Sequence, residues 1–450
     1  MADVSVANEA SADQTGQSGD AVAEVTAWLQ ENWDPDLTVA EWWERLGLAG
    51  WSAPGLPTNA YGRGLTRNDA VRVSQAIAEF GALGAPGGLG LLLAAPTIAT
   101  HGTQEQIDHY VKDIVTGRQA WCQLFSEPQA GSDLAGLQTR AMQDGEEWIV
   151  NGQKVWTSGG QIADLGMLIA RTDSDVPKHQ GITYFALDMH QKGAVDIRPL
   201  KEMTGRAMFN EVFLTDARTT EFAMIGGKNN GWAVANTTLM NERAGLGAGG
   251  GSAAGGRAAP GTIAGDLEKR VGDFVTPGGG RRSGGEGGGL FGMSSKMLIE
   301  LAKANGKITD PTVRQDLMRL HTMNEIAKFS GLRAKATKVA TGKDIPGLPN
   351  ISKLTMSDIM RTTRDLGLRI IGVHGTLHAY DAESKKVLDK ATGNPFLGMM
   401  TEMALFAQGP PIYGGTDQVQ RNIIGERVLG LPKEPSNDRV VAFKDLPKNA

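Results

Sequence analysis

The chain has 450 residues, 40% hydrophobic and 21% charged, the composition of an ordinary globular protein with mass for roughly three domains. A formal net charge of −5 excludes an electrostatically driven nucleic-acid binder, and no uninterrupted apolar run reaches the roughly 18 residues of a membrane helix. The one cysteine, Cys122, excludes an intramolecular disulfide framework and a cysteine-based zinc site; it fits a reducing compartment, and with no Lys or Arg before Arg45 the cytoplasm is expected.

Residues 1–20, rich in Ala, Ser, Gly, Gln and acids, read as a disordered tail. From 21 to 120 the spacing is helical. "AVAEVTAWLQENW" and "TVAEWWERLGLAGW" repeat Trp and Leu every three or four residues, and "TRNDAVRVSQAIAEFGALG" opens with a Thr cap and an Asp three residues later. The period changes after Trp121. "EEWIVNGQKVWTSGG" alternates around Asn151-Gly152, a hairpin signal, and "LGMLIARTD", "GITYFALDM", "VDIRPL" and "NEVFLTD" are further strands, so 121–225 reads as a small all-β domain. Helices return over 226–450, where Asp310-Pro311 makes a cap and first-turn pair. Within that part, 245–289 holds 18 glycines in 45 positions and reads as a mobile insert or a loop.

Several strings carry candidate chemistry. "GLGAGG" at 245–250 satisfies G-x-G-x-x-G, but a helix precedes it and a Gly-rich run follows, so the dinucleotide-binding context is missing. His374 and His378 stand at i, i+4 without a third ligand, so no metal site is expected. "WCQLFSEPQAGSDLAGLQTRA", 121–141, contains two tight turns with small side chains; it reads either as a linker or as a ligand site. "PPIYGGTDQVQRNIIGERVLGLP", 410–432, stops at its prolines and opens a helix through Gly414, Gly415 and Thr416, which suggests a large body against bare backbone.

"QLFSEPQAGSD", "NGQKVWTSGG" and "IYGGTDQVQRNIIGERVLG" together resemble the acyl-CoA dehydrogenase family, in the family's order and spacing, over roughly 30–440. The resemblance implies an α+β fold: an N-terminal helical domain, a middle β-barrel-like domain and a C-terminal four-helix bundle. It implies FAD as cofactor, with Gln123, Phe125, Ser126, Trp156 and Ser158 lining the flavin from the β domain. Gly415, Thr416, Gln418, Arg369 and Gly372 are the implied cofactor contacts from the helical domain. Ser132, Tyr413, Gly414 and Arg243 are the implied neighbours of the acyl-CoA. The implied reaction is α,β-dehydrogenation to a trans-2-enoyl-CoA with electrons passed to an electron-transfer flavoprotein. The implied assembly is a homo-oligomer, dimer or tetramer, with a hetero-oligomer as the alternative.

That reaction needs a carboxylate opposite the flavin to take the α-proton. Many members carry it just before the Gly-Thr, where this chain has Gly414. Others, including isovaleryl- and long-chain-type enzymes, take it from the first long helix of the C-terminal domain, the position of Glu242 in "TLMNERAGLG". Glu242 is therefore the expected base. The family's Arg-x-x-Phe-Gly cofactor segment is missing, and the Gly-rich run stands in its place. Two alternatives stay open: a catalytically silent subunit that needs a partner chain, and an oxidase or monooxygenase on the same scaffold.

Overall fold

The structure, a computed structural model, describes residues 21–247, 266–275 and 295–447. The tail, the distal half of "GLGAGG" and most of the Gly-rich run lie outside the described residues. The chain runs α1 (Ala21–Asn32), α2 (Val39–Leu48), α3 (Arg67–Phe80), α4 (Ala95–His101), α5 (Gln104–Gln106) and α6 (Lys112–Val115). The strands follow: β1 (Trp121–Leu124), β2 (Arg140–Asp144), β3 (Glu147–Ser158), β4 (Leu165–Arg171), β5 (Ile182–Asp188), β6 (Val195–Leu200), β7 (Phe209–Thr220) and β8 (Met224–Ile225). Then come α7 (Gly231–Gly247), α8 (Ser295–Ala304), α9 (Pro311–Thr341), α10 (Leu348–Ile371), α11 (Ala382–Thr392), α12 (Leu397–Phe406) and α13 (Asp417–Ile423). Helical ends around a central sheet make the fold α+β.

The chain divides into two compact units. The first holds 21–91, 98–120 and 266–275. Its core gathers Leu29, Trp42, Trp43, Leu46 and Ile77. Thr38 caps α2 in a full capping box, and Thr66 accepts from the Asp69 amide at the start of α3. The indoles of Trp42 and Trp43 donate to the carbonyls of Leu83 and Gly84 at 2.7 and 2.8 Å, which satisfies their buried N–H groups.

The reading of 245–289 as one mobile stretch is corrected over 266–275. Val39 and Ala40 donate to the carbonyls of Lys269 and Leu267, and Val271 donates back to Leu37 at 2.8 Å. Val271 is fully buried in the first unit's core, with Leu267 and Phe274 packed beside it. Three apolar side chains outweigh the ordering cost of the one glycine, Gly272, in that segment.

The second unit contains the sheet and the C-terminal helices. The strand order is β6-β7-β3-β2-β4-β5-β8, with β1 parallel to β4. The hairpin does not turn at Asn151-Gly152. It turns at Gly145-Glu146, between β2 and β3, where Gly145 takes a left-handed φ of 64°. Asn151 and Gly152 lie inside β3 at a register shift against β7. A Cβ on Gly152 would stand 2.3 Å from the Thr139 hydroxyl, so the glycine serves close strand approach. Asn151 exchanges two bonds with Asp216 instead of making a turn.

In the C-terminal part, α10 packs against α8, α9, α12 and α13 over a core of Leu320, Leu366, Ile370, Met400 and Met403. Asp310 caps α9 through the amides of Thr312 and Val313. The β6–β7 loop docks on this bundle: Arg206 pairs with buried Glu402, which also pairs with Lys385, and Gly205 leaves room for the Tyr380 ring.

Candidate active site

The β-domain segments are locked together by a buried ion pair. Lys154 is fully buried; its ammonium donates to the Phe125 carbonyl at 3.0 Å and to Glu127 at 2.9 Å. Glu127 also accepts from the amides of Gln138 and Thr139. Burial pushes the Glu127 carboxyl up, but Lys154 and these donors outweigh it and hold it below the ordinary carboxylate range. The Val155 amide donates to Ser126. The Gln123–Ser126 strand end and the Trp156–Ser158 strand end are thereby fixed side by side. Sequence reasoning missed Lys154 and Glu127, although both lie inside the quoted motifs.

Trp156 sits at a register shift between β3 and β7, with a left-handed φ of 62°. Its indole is 56% exposed and meets Phe209 edge-on, with ring centroids 5.8 Å apart. Left-handed backbone is costly for a tryptophan, and a bulge re-aims the side chain. Beside it the buried Thr157 hydroxyl has no hydrogen-bond partner. An out-turned indole with a waiting hydroxyl next to it fits a flat ring system such as a flavin. Phe125 is buried, Gln123, Ser126 and Ser158 are half-buried, and Phe125 meets Tyr184 of β5 edge-on at 6.0 Å.

The helix α7 starts hard against β5. A Cβ on Gly231 would stand 2.5 Å from the Thr183 backbone. Buried Thr238 meets Thr97 at 2.9 Å and the Tyr184 hydroxyl at 3.5 Å. Glu242 follows Thr238 by four residues, so it lies on the same helix face, and it is half-buried. The Arg243 side chain lies outside the described residues.

The 409–416 turn is built on α10. Gly414 and Gly415 have φ of 63° and 79°. Gln420 folds back to donate to the Gly414 carbonyl at 3.0 Å, and a Cβ on Gly415 would stand 2.7 Å from that amide. The turn itself therefore demands this glycine pair. Thr416 caps α13 through the Val419 amide. Asp417, nearly buried, binds Lys353 at 3.0 Å, Ser357 at 2.8 Å and Arg361 at 2.9 Å, all on α10. Burial pushes its carboxyl up, but these three partners hold it below the ordinary range. Tyr413 is half-buried with its hydroxyl enclosed and unpartnered; Gln418 is exposed. Arg369, near the end of α10, pairs with Asp316 of α9, and Gly372 caps α10 with a φ of 61°. His374 bonds Asn394 and His378 bonds Thr401. Among the described residues no cluster of His, Cys, Asp or Glu is arranged to hold a metal ion.

Ser132 is exposed on the 130–138 loop, which is held from behind. Arg171, almost fully buried, donates to the carbonyls of Ala135 and Leu137 at 2.6 and 3.3 Å, and to Lys178. Burial lowers the Arg171 guanidinium to about 10. Lys178 grips Asp133 at 2.9 Å on one side and Asp438 at 2.7 Å on the other.

The chain thus joins a helix–sheet–helix order to an out-turned indole on a bulged strand and a Gly-Gly-Thr turn on the bundle. The acyl-CoA dehydrogenase N-terminal, middle and C-terminal domain profiles match residues 19–118, 122–217 and 298–429. Acyl-CoA dehydrogenase IpdE1 of Mycobacterium tuberculosis is 33% identical over 398 residues, 87% of this chain and 88% of that protein. The Tcur3481-Tcur3483 steroid acyl-CoA dehydrogenase superposes with a TM-score of 0.65 at 23% identity, over 92% of this chain and 97% of that one. The ChsE4-ChsE5 complex of M. tuberculosis gives 0.63 at 24%, over 94% and 100%. The chain belongs to the acyl-CoA dehydrogenase family, whose members are flavoprotein oxidoreductases acting on CH–CH groups. No helix among the described residues is long and apolar enough to cross a membrane.

Proposed function

We propose that this chain dehydrogenates a bulky acyl-CoA thioester to its trans-2-enoyl-CoA, with Glu242 as the base. The carrying observation is that Glu242 follows Thr238 on the α7 face that Thr97 and Tyr184 hold, while the turn carries Gly414 and no acid. FAD, when bound, supplies the hydride acceptor. Gln123, Phe125, Ser126, Trp156 and Ser158 hold it from the sheet; Thr416, Gly415, Gln418, Gly372 and Arg369 are its proposed contacts from the helical part. Ser132, Tyr413 and Gly414 bound the thioester, and Arg243 orients it. Glu242 takes the α-proton, which the adjoining carbonyl acidifies.

A steroid-type or similarly bulky acyl group is the proposed substrate class. With Gly414 rather than an acid in the turn, that side of the pocket stays open, and the fold neighbour Tcur3481-Tcur3483 is a steroid acyl-CoA dehydrogenase. Electron-transfer flavoprotein is the proposed acceptor. Assembly with a second, different family chain is proposed over a homo-oligomer, because two fold neighbours are two-protein complexes. The test is a panel of palmitoyl-CoA, isovaleryl-CoA and a steroid side-chain CoA thioester, followed by flavin bleaching with and without a co-expressed family chain. Glu242→Gln is expected to retain FAD and slow flavin reduction by about 10². Reduction at the wild-type rate sinks the assignment.

A further inference from the structure

The loop carrying Ser132 is held by two cations, and both are covered by one distant segment. Phe443 lies under the Arg171 guanidinium, 3.7 Å from ring centroid to carbon, and is itself buried. Asp438 closes the second side of Lys178, whose first side grips Asp133. The segment is seated by backbone bonds as well: Phe443 donates to the Val176 carbonyl at 2.9 Å, Lys444 to Ser174 at 3.0 Å, and Ala442 bridges Pro177.

Each contact bears on the loop through one intermediary. Arg171 fixes two loop carbonyls, and its own position depends on the ring beneath it. Lys178, almost fully buried, stands between two carboxylates, so removing Asp438 leaves it free to follow Asp133. A charge-assisted contact of this kind restricts a loop more than a neutral one does.

We propose that residues 437–446 form a strap that positions the 130–138 loop for the thioester, with Lys178 and Arg171 as the positioning residues. This rests on the reading of Ser132 as a thioester contact. The strap's contacts run to Arg171, Lys178 and residues 174–177 behind the Ser132 loop, so its effect is expected on substrate affinity first.

The test compares Asp438→Asn, Asp438→Glu, Phe443→Leu and Ser132→Ala in the FAD-loaded protein. Hydrogen exchange over 130–138 is read alongside binding of palmitoyl-CoA and of free coenzyme A. Asp438→Asn is expected to speed exchange in the loop and weaken palmitoyl-CoA binding about fivefold, with FAD occupancy and kcat retained. Asp438→Glu restores both. Phe443→Leu removes the cation–ring contact and part of the bulk under Arg171 but leaves Lys178 and Asp438 in place, so it shows a smaller change in the same direction. Unchanged exchange and unchanged binding in Asp438→Asn, with weakened binding in Ser132→Ala, overturn the strap. Ser132→Ala that binds both thioester and coenzyme A like wild type, or a wild type that binds neither, overturns the reading of Ser132 instead. Equal losses of FAD and thioester in Asp438→Asn reduce the segment to general stability and also overturn the proposal.

Discussion

Trp156 is held in a conformation that tryptophan disfavours, and relief of that strain separates stability from cofactor binding. Trp156→Gly is expected to cost little or no thermal stability, because a left-handed residue gains about 1 kcal/mol on becoming glycine while an exposed indole loses little burial. FAD retention is expected to fall sharply; equal falls in both would make the indole structural. Lys154→Met is the opposite case. It leaves Glu127 buried beside two amides without its cation, at a cost of roughly 3–5 kcal/mol. Lys154→Met combined with Glu127→Gln should recover part of that in a denaturant titration. Cys122, fully buried and with its thiol pushed up to about 12, is expected to resist thiol reagents at neutral pH until the chain is denatured. Neither Lys154 nor Glu127 stood out in the sequence, because a lysine between two strand residues reads as a surface charge. Only the pairing across 27 positions shows that it is buried.

At the scale of elements, the glycine pair of the 413–416 turn illustrates what a sequence can and cannot convey. Gly414-Gly415 signalled close approach, yet the atom that crowds Gly415 is the chain's own Gln420 amide. Gly415→Ala is therefore expected to destabilise the protein by at least about 1 kcal/mol even without FAD, measured by thermal unfolding of the apoprotein. Asp417 anchors the same turn. Its folded carboxyl lies below the ordinary value, so its stabilisation is complete above about pH 4 and fades as pH falls through the lowered value. Asp417→Asn should lower stability by about 2 kcal/mol at neutral pH and flatten that acid limb. The β-hairpin shows the converse. The observed turn centres on Gly145-Glu146, one residue past the Asp144-Gly145 dipeptide, while Asn151-Gly152, a good turn dipeptide, stays inside a strand. The length of β7 decides this: it pairs with β3 on both sides of Gly152 and keeps the strand running.

Across the whole molecule, the order of helices, sheet and helices was legible because hydrophobic period and turn residues change together at Trp121 and Gly231. The packed part of the Gly-rich run was not. Glycine content hid Leu267, Val271 and Phe274, three apolar residues at near-helical spacing with no periodic neighbours to support them. Val271→Asp should destabilise the first unit strongly, by about 3 kcal/mol or more, the scale of a buried unpaired charge, whereas Arg270→Ala should leave its stability nearly unchanged because the ion pair with Asp36 is exposed. Separate unfolding transitions of the two units would report which one responds.

The stitch between residues 35–40 and 266–273 also sets an order of events during synthesis. Arg270 meets Asp36 across 234 positions of chain. A ribosome finishes the leading helices long before it makes the segment that completes their core. For that interval, tens of seconds or less at about 5–20 residues per second, the nascent first unit presents a bare groove beside Leu37 and Val39. Chaperone occupancy on stalled chains should therefore stay high beyond residue 120 and drop once Val271 has cleared the exit tunnel.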